Sequence, residues 1–132
     1  MAIAKVLLDA NALLLPFETG VRIEPELERL FGRYEVVVPE SVMTELAKIA
    51  AEAKGARASN ARMALSLAAR YSYVANTGTG DGAVLSAAKN QGAFLFTNDR
   101  VLLKRAIAEG VGVVRLKGGG HLIVETGQGE SR

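Results

Sequence analysis

The sequence contains no cysteine, which removes disulfide frameworks, cysteine-zinc sites and thiol nucleophiles and leaves no trace of a redox compartment. Histidine occurs once, as His121 in a glycine-rich C-terminal stretch, and reads as structurally incidental. No apolar run approaches the roughly 18 residues of a membrane span. The N-terminal apolar stretch carries Lys5 and Asp9 with no basic segment ahead of it, so neither membrane nor export is indicated and the default location is the cytoplasm. Net charge is small, +2 from 16 basic and 14 acidic residues, and by itself says little about nucleic acid. What the chain has is apolar material: 49% of its 132 residues are hydrophobic and 23% charged, enough for one packed core and too few residues for two. Aspartate is scarce. Against 11 glutamates there are three aspartates, Asp9, Asp81 and Asp99.

The apolar run Ile3 to Leu8 has strand length and ends in Asp9-Ala10-Asn11 before a second apolar stretch that Pro16 closes, which reads as a strand and a short helix. Glu24 to Phe31, with Pro25 and acids at its start, reads as a helix, and Tyr34 to Val38 as a β-branched strand. Glu40 to Lys54 places Val42, Leu46 and Ile49 on one stripe, and after Gly55 an Ala-rich helix runs from Ala56 to Tyr71. Ser72 to Ala75 is a weak strand candidate before the turn Thr77-Gly78-Thr79-Gly80-Asp81-Gly82. A helix from Asp81 to Gln91, a strand from Ala93 to Thr97, a helix after Asn98-Asp99 and a strand from Val111 to Leu116 complete a βααβααβαβαβ pattern. Helical crossovers between successive strands imply a parallel sheet with helices on both faces, whose ligand site lies beyond the carboxyl ends of the strands. His121 to Glu125 is the one later segment able to pair, and the chain is expected to fray near its end.

All three aspartates fall where a strand hands over to a helix. Taken singly, each is explained as a helix N-cap worth about 1 kcal/mol. Glu45 is different, because it lies inside a helix, about 60° from the apolar stripe by the spacing of roughly 3.6 residues per turn. Four carboxylates from four βα units would meet at one edge of one sheet, and such a group is costly unless protonated or bound to cations. Oxygen-rich sites suit Mg²⁺ or Mn²⁺, and a pair of ions about 3.5 to 4 Å apart can activate water and stabilise the leaving oxygen of a phosphodiester. Crowding should also raise the folded-state pKa of at least one of the four, so that Asp81→Asn is expected to raise the metal-free melting temperature.

The order Asp9-x-Asn11, Glu45, Asp81 and Thr97-Asn98-Asp99 resembles a PIN domain over about residues 2 to 117. The segment from Asp9 to Phe17, with Val37-Val38-Pro39 and the Ala-rich helix after Gly55, is most similar to small archaeal PIN proteins related to ribosomal-RNA-processing endonucleases. The resemblance implies a Rossmann-like sheet of order 3-2-1-4-5 and Mg²⁺- or Mn²⁺-dependent endoribonuclease activity. It implies a domain over residues 1–117 followed by a Gly-rich tail, 118–132, with at most one short edge strand. By position, Asp9, Glu45, Asp81 and Asp99 would be the catalytic metal ligands for one or two ions, with Asn11 and Thr97 as polar supports or water-positioning groups. Relatives often carry a second acid beside the third position, where this chain has Gly80 and Gly82.

Setting the four acids aside leaves 10 acids against 16 bases, and Lys54, Arg57, Arg62, Arg100, Lys104 and Arg105 are candidates for holding RNA phosphates. The same resemblance admits a ribonuclease toxin with an antitoxin partner, a processing enzyme with a ribosome-assembly partner, or a silent RNA-binding scaffold. Gly78-x-Gly80-x-x-Ala83 with Asp99 also fits a loose dinucleotide-binding fingerprint, but that reading leaves Asp9 and Glu45 unexplained. The alanine surface between Glu40 and Tyr71 exceeds what the sheet needs, so a two-fold homodimer is expected.

Overall fold

A computed structural model describes residues 3–127. The chain opens with strand β1 (Ala4–Leu8), helix α1 (Ala10–Thr19) and helix α2 (Ile23–Phe31), then β2 (Tyr34–Pro39), α3 (Glu40–Glu52), α4 (Ala56–Ala68) and β3 (Ser72–Val74). It continues with α5 (Gly80–Gln91), β4 (Phe94–Phe96), α6 (Arg100–Ala108), β5 (Val113–Lys117) and β6 (His121–Glu125). The six strands form one sheet in the order β3-β2-β1-β4-β5-β6, parallel except for β6, which pairs antiparallel to β5. This is the α/β architecture read from the sequence, with β6 added at the edge. Whatever fraying the tail has beyond Gly127 lies outside the described residues.

Val6, Leu7 and Leu8 are consecutive and all wholly buried. Successive strand side chains point to opposite faces, so both faces of the sheet are covered by helices. Helix α1 does not stop at Pro16 as the sequence suggests, but runs through it to Thr19. Proline removes a single intrahelical donor, and the last turn is held by the Thr19 hydroxyl donating to Leu15 O at 2.8 Å and by the Gly20 N–H donating to Pro16 O at 2.9 Å. Gly20 ends the helix at φ 78°, a conformation glycine adopts without strain.

Ala58, Ala61, Ala64 and Ala68 of α4 are buried, and this helix packs on α1 and α3. The small side chains thus let three helices approach one another within one chain. That covers part of the alanine surface on which the sequence suggested a dimer, while Ala47, Ala51, Ala56, Ala69 and Met63 of the same segment stay exposed. The outer edge of β6 is closed by α2: Glu26 Oε1 accepts from Leu122 N at 2.9 Å and Arg29 Nη2 donates to Leu122 O at 2.7 Å. Edge strands are thereby kept from pairing with other chains. His121 stands 3.4 Å from the same Glu26 oxygen and is otherwise exposed.

Gly112 shows how closely β4 and β5 meet. A Cβ there would lie 2.9 Å from two ring carbons of Phe94, whose ring in turn rests 4.9 Å from that of Phe31. Gly112→Ala should therefore cost about 1–3 kcal/mol, the usual range for overpacking, read as a lowered urea midpoint at an unchanged slope. A midpoint equal to that of the unaltered protein would mean that Phe94 moves aside freely.

Candidate active site

The chain reverses its spread across the sheet at β1: β2 and β3 lie to one side, β4 and β5 to the other. In open α/β sheets this switch point leaves a crevice at the carboxyl ends of the two central strands. Asp9 follows β1 there, 6% exposed, and its Oδ1 accepts from Ala12 N at 2.8 Å as the N-cap of α1. Thr97 follows β4, fully buried, and its hydroxyl oxygen accepts from Asp99 N at 3.0 Å. Asp99 caps α6, with Oδ1 accepting from Val101 N at 2.9 Å and Leu102 N at 3.1 Å. Its other carboxylate oxygen accepts no hydrogen bond among the described residues, and the residue is exposed.

Two asparagines tie these turns together. Asn11 Oδ1 accepts from Asn98 N at 3.0 Å, and Asn98 Oδ1 accepts from Leu116 N at 2.7 Å. The turns after β1 and β4 and the end of β5 are thus one hydrogen-bonded unit. On the other side, Asn76 Oδ1 accepts from Ser41 N at 2.8 Å and its Nδ2 donates to Ser41 Oγ at 2.9 Å. Helix α3 starts at Pro39, which has no capping side chain, so Asn76 supplies that cap from the turn before α5. It fixes the start of the helix bearing Glu45 against the loop that leads to Asp81. Neither Asn76 nor a role for Asn98 was visible in the sequence, since both act across 18 residues or more.

Asp81 departs from the capping pattern. Thr79 occupies the cap position of α5 without a side-chain bond, while Asp81 is the second residue of the helix, exposed, with no hydrogen-bond partner among the described residues. Two of the three aspartates serve as caps and the third does not.

Burial raises the Asp9 carboxyl from 3.8 to about 7. The charges of Glu45 and Asp99 push in the same direction, while hydrogen bonds from the Thr97 side chain and the Ala12 main chain oppose them. Glu45 is also raised, first by partial covering of its carboxyl, although solvent still reaches it, then by Asp81, with Arg57 acting against both. The four acids therefore feel one another in pairs: Asp9 with Glu45 and Asp99, and Glu45 with Asp81. Among the described residues no three acids or histidines stand close enough to hold an ion together. As a donor set they fit a hard divalent cation, being all oxygen, with a buried carboxyl whose ionisation lacks a neighbouring positive charge. Mg²⁺ is commonly held by one or two carboxylates with waters completing its shell, so a three-ligand cluster is not required.

The six basic candidates fall into two groups. Lys54, Arg57 and Arg62 lie exposed at and after the link between α3 and α4, where the charge of Arg57 is felt at Glu45. Arg100, Lys104 and Arg105 project from α6. The Arg105 guanidinium lies over Gly82, where an added Cβ would be 3.9 Å from both terminal nitrogens, and its Nε pairs with Glu109 at 3.1 Å. The glycine turn before α5 follows the edge strand β3 and not a central strand, as a dinucleotide-binding turn would.

The sheet order and the acids at its carboxyl edge define an α/β domain of Rossmann-like form, and the comparisons with known proteins give its family. The family model described as PIN like domain matches residues 6–119, and the chain belongs to that family. Ribonuclease VapC9 of Archaeoglobus fulgidus is 31% identical over 117 residues, covering 89% of this chain and 86% of the relative. The PIN domain endonuclease Utp24 superposes with a TM-score of 0.75 at 19% identity, over 92% of this chain and 90% of that one. A domain of a functionally unknown protein from Methanocaldococcus jannaschii gives 0.66 at 18%, over 88% and 93%. These two solved structures are alike in fold. No helix among the described residues is long and apolar enough to cross a membrane.

Proposed function

We propose that the protein is a metal-dependent endoribonuclease that hydrolyses RNA phosphodiester bonds at the carboxyl edge of its sheet. The observation that carries this reading is the buried Asp9 carboxyl, raised to about 7 among further acids, on a chain 31% identical to a ribonuclease. Asp9, Glu45, Asp81 and Asp99 would hold one or two Mg²⁺ or Mn²⁺ ions. Such an ion, when bound, lowers the pKa of water and offsets charge on the leaving oxygen. Thr97 holds Asp9 in orientation, and the Asn11-Asn98 link holds the turn that presents Asp99. Asp99 spends one oxygen on its helix and keeps the other for a ligand. Asp81, in the first turn of α5 and without a hydrogen-bond partner among the described residues, has its carboxylate available for a ligand.

Incubation of the purified protein with single-stranded RNA tests this. Cleavage is expected with Mn²⁺ or Mg²⁺ and none in chelator; intact RNA under all conditions would favour the silent RNA-binding scaffold. The cellular role divides between ribosomal-RNA processing and a toxin held by an antitoxin. Mapping new 5′ ends in total RNA separates them, one dominant site in precursor ribosomal RNA for the first and growth arrest on expression without a neighbouring antitoxin gene for the second.

A further inference from the structure

Beside the carboxylates, between the first turns of α6 and the β5-β6 hairpin, lies a polar cavity of about 270 Å³. Arg100, Lys104 and Arg115 contribute three cations to its wall, Glu125 one acid, and Leu103 and Leu116 its apolar part. Arg115 is engaged, with Nε and Nη2 both on Glu125 Oε1 at 2.8 and 2.7 Å. Arg100 and Lys104 make no ion pair among the described residues. They stand four residues apart and so share one face of α6, an arrangement that mutual repulsion disfavours unless an anion lies between them and the wall opposite. The cavity shares Asn98 with the candidate active site, and that residue's side chain ties it to Leu116 on the far wall. The cavity is lined by the residues on either side of Asp99 in the chain, Asn98 and Arg100.

The other cationic clusters lack this form. Arg105 is occupied by Glu109, and Lys54, Arg57 and Arg62 line none of the cavities found at this edge. We propose that the cavity is a phosphate subsite for the RNA strand, holding a backbone phosphate next to the cleaved bond through Arg100 and Lys104, with Arg115 fixed by Glu125 as its wall. The inference rests on the ribonuclease reading and gives the substrate strand a side: it leaves the carboxylates over α6 and β5. Ribonucleic acid strands gain affinity from each phosphate neutralised, by counterion release. An arginine and a lysine facing one cavity supply two such contacts without reading the base.

The test is binding of a fluorescent 12-nucleotide oligouridylate in chelator, followed by anisotropy over a range of KCl concentrations. The Arg100→Ala/Lys104→Ala protein should bind at least tenfold more weakly, with the slope of log affinity against log salt shallower by about 1.4, the value for two single-strand contacts. Both residues are exposed and alanine is a good helix former, so the variant folds. Glu125→Gln, which frees a third cation, should tighten binding and steepen the slope. Arg33→Ala/Lys89→Ala removes two charges from the opposite edge of the sheet and serves as the comparison. Unchanged affinity and slope in Arg100→Ala/Lys104→Ala, or equal losses from the two pairs, overturns the subsite. Binding as described without cleavage in Mn²⁺ overturns the ribonuclease reading and leaves an RNA-phosphate site, whereas no binding by the unaltered protein overturns the subsite and leaves the ribonuclease reading to the cleavage assay.

Discussion

Asp9→Asn should raise the melting temperature of the metal-free protein at pH 8 by about 6 to 16 °C and leave it nearly unchanged below pH 4. The folded-state pKa of Asp9 stands at about 7 against 3.8 for the free group. A raised acid binds more protons folded than unfolded between those values, so its favourable contribution is complete below pH 4 and is lost as pH rises through 7. Above that, ionising a carboxyl that is 6% exposed opposes folding by up to about 4 kcal/mol. Half of that or more should appear in the measurement, and for a domain of this size each kcal/mol moves the midpoint by about 3 to 4 °C. Asparagine keeps an oxygen to accept from Ala12 N and offers its amide to the Thr97 hydroxyl, which has a second lone pair. Thermal melts from pH 4 to 8 check this, and parallel curves for the two proteins would show that Asp9 carries no ionisation penalty. Added Mn²⁺ should stabilise the unaltered protein more than the variant, because only the former has the full charge to neutralise.

The sequence placed this effect on Asp81, and the structure moves it. Asp81 is exposed, so its repulsions are screened by water, whereas Asp9 is enclosed. At Asp81, chemistry and stability should therefore separate. Asp81→Asn should reduce the rate of RNA cleavage at saturating RNA at least ~100-fold, while its melting temperature shifts by no more than about 2 °C, the usual range for an exposed site. Asp99→Asn should behave alike, since asparagine caps a helix as well as aspartate does and the bonds to Val101 and Leu102 survive. Asp99→Ala would in addition lose about 1 kcal/mol of stability. Single-turnover cleavage together with melting of the same preparations measures both. Full activity in Asp81→Asn would remove it from the ligand set and leave its exposed, unpartnered place at the start of α5 without an account.

The parallel sheet and the edge carrying the acids were legible from the βα alternation, whereas the strand order came from the resemblance to PIN domains. Right-handed crossovers leave few arrangements for such a pattern, and Asp9 and Asp99 were marked by the strands ending shortly before them, while Asp81 stands seven residues beyond the end of β3. What was hidden lay in contacts between distant residues. The α4 alanines recur at positions 58, 61, 64 and 68, yet only their neighbours show that this stripe faces α1 and α3 instead of a second chain. The Asn76-Ser41 and Asn98-Leu116 bonds join residues 35 and 18 apart, and nothing local sets these asparagines apart from any other turn residue. Strand β6 was visible only as a segment able to pair. Its partner β5 and its fastening by Glu26 and Arg29 come from tertiary packing. Arg115 was likewise silent, since its position opposite Arg100 and Lys104 depends on where the hairpin folds.

Calorimetric titration of the protein with Mn²⁺ at pH 7, without RNA and in two buffers of different ionisation enthalpy, tests the central claim most directly. If the four acids are a cation site built around a carboxyl of pKa about 7, one or two ions bind and protons are released, so the apparent heats differ between the buffers. Asp9→Asn should bind at least tenfold more weakly and release fewer protons. Absence of saturable Mn²⁺ binding, or binding of equal strength and proton release in Asp9→Asn, would contradict the account.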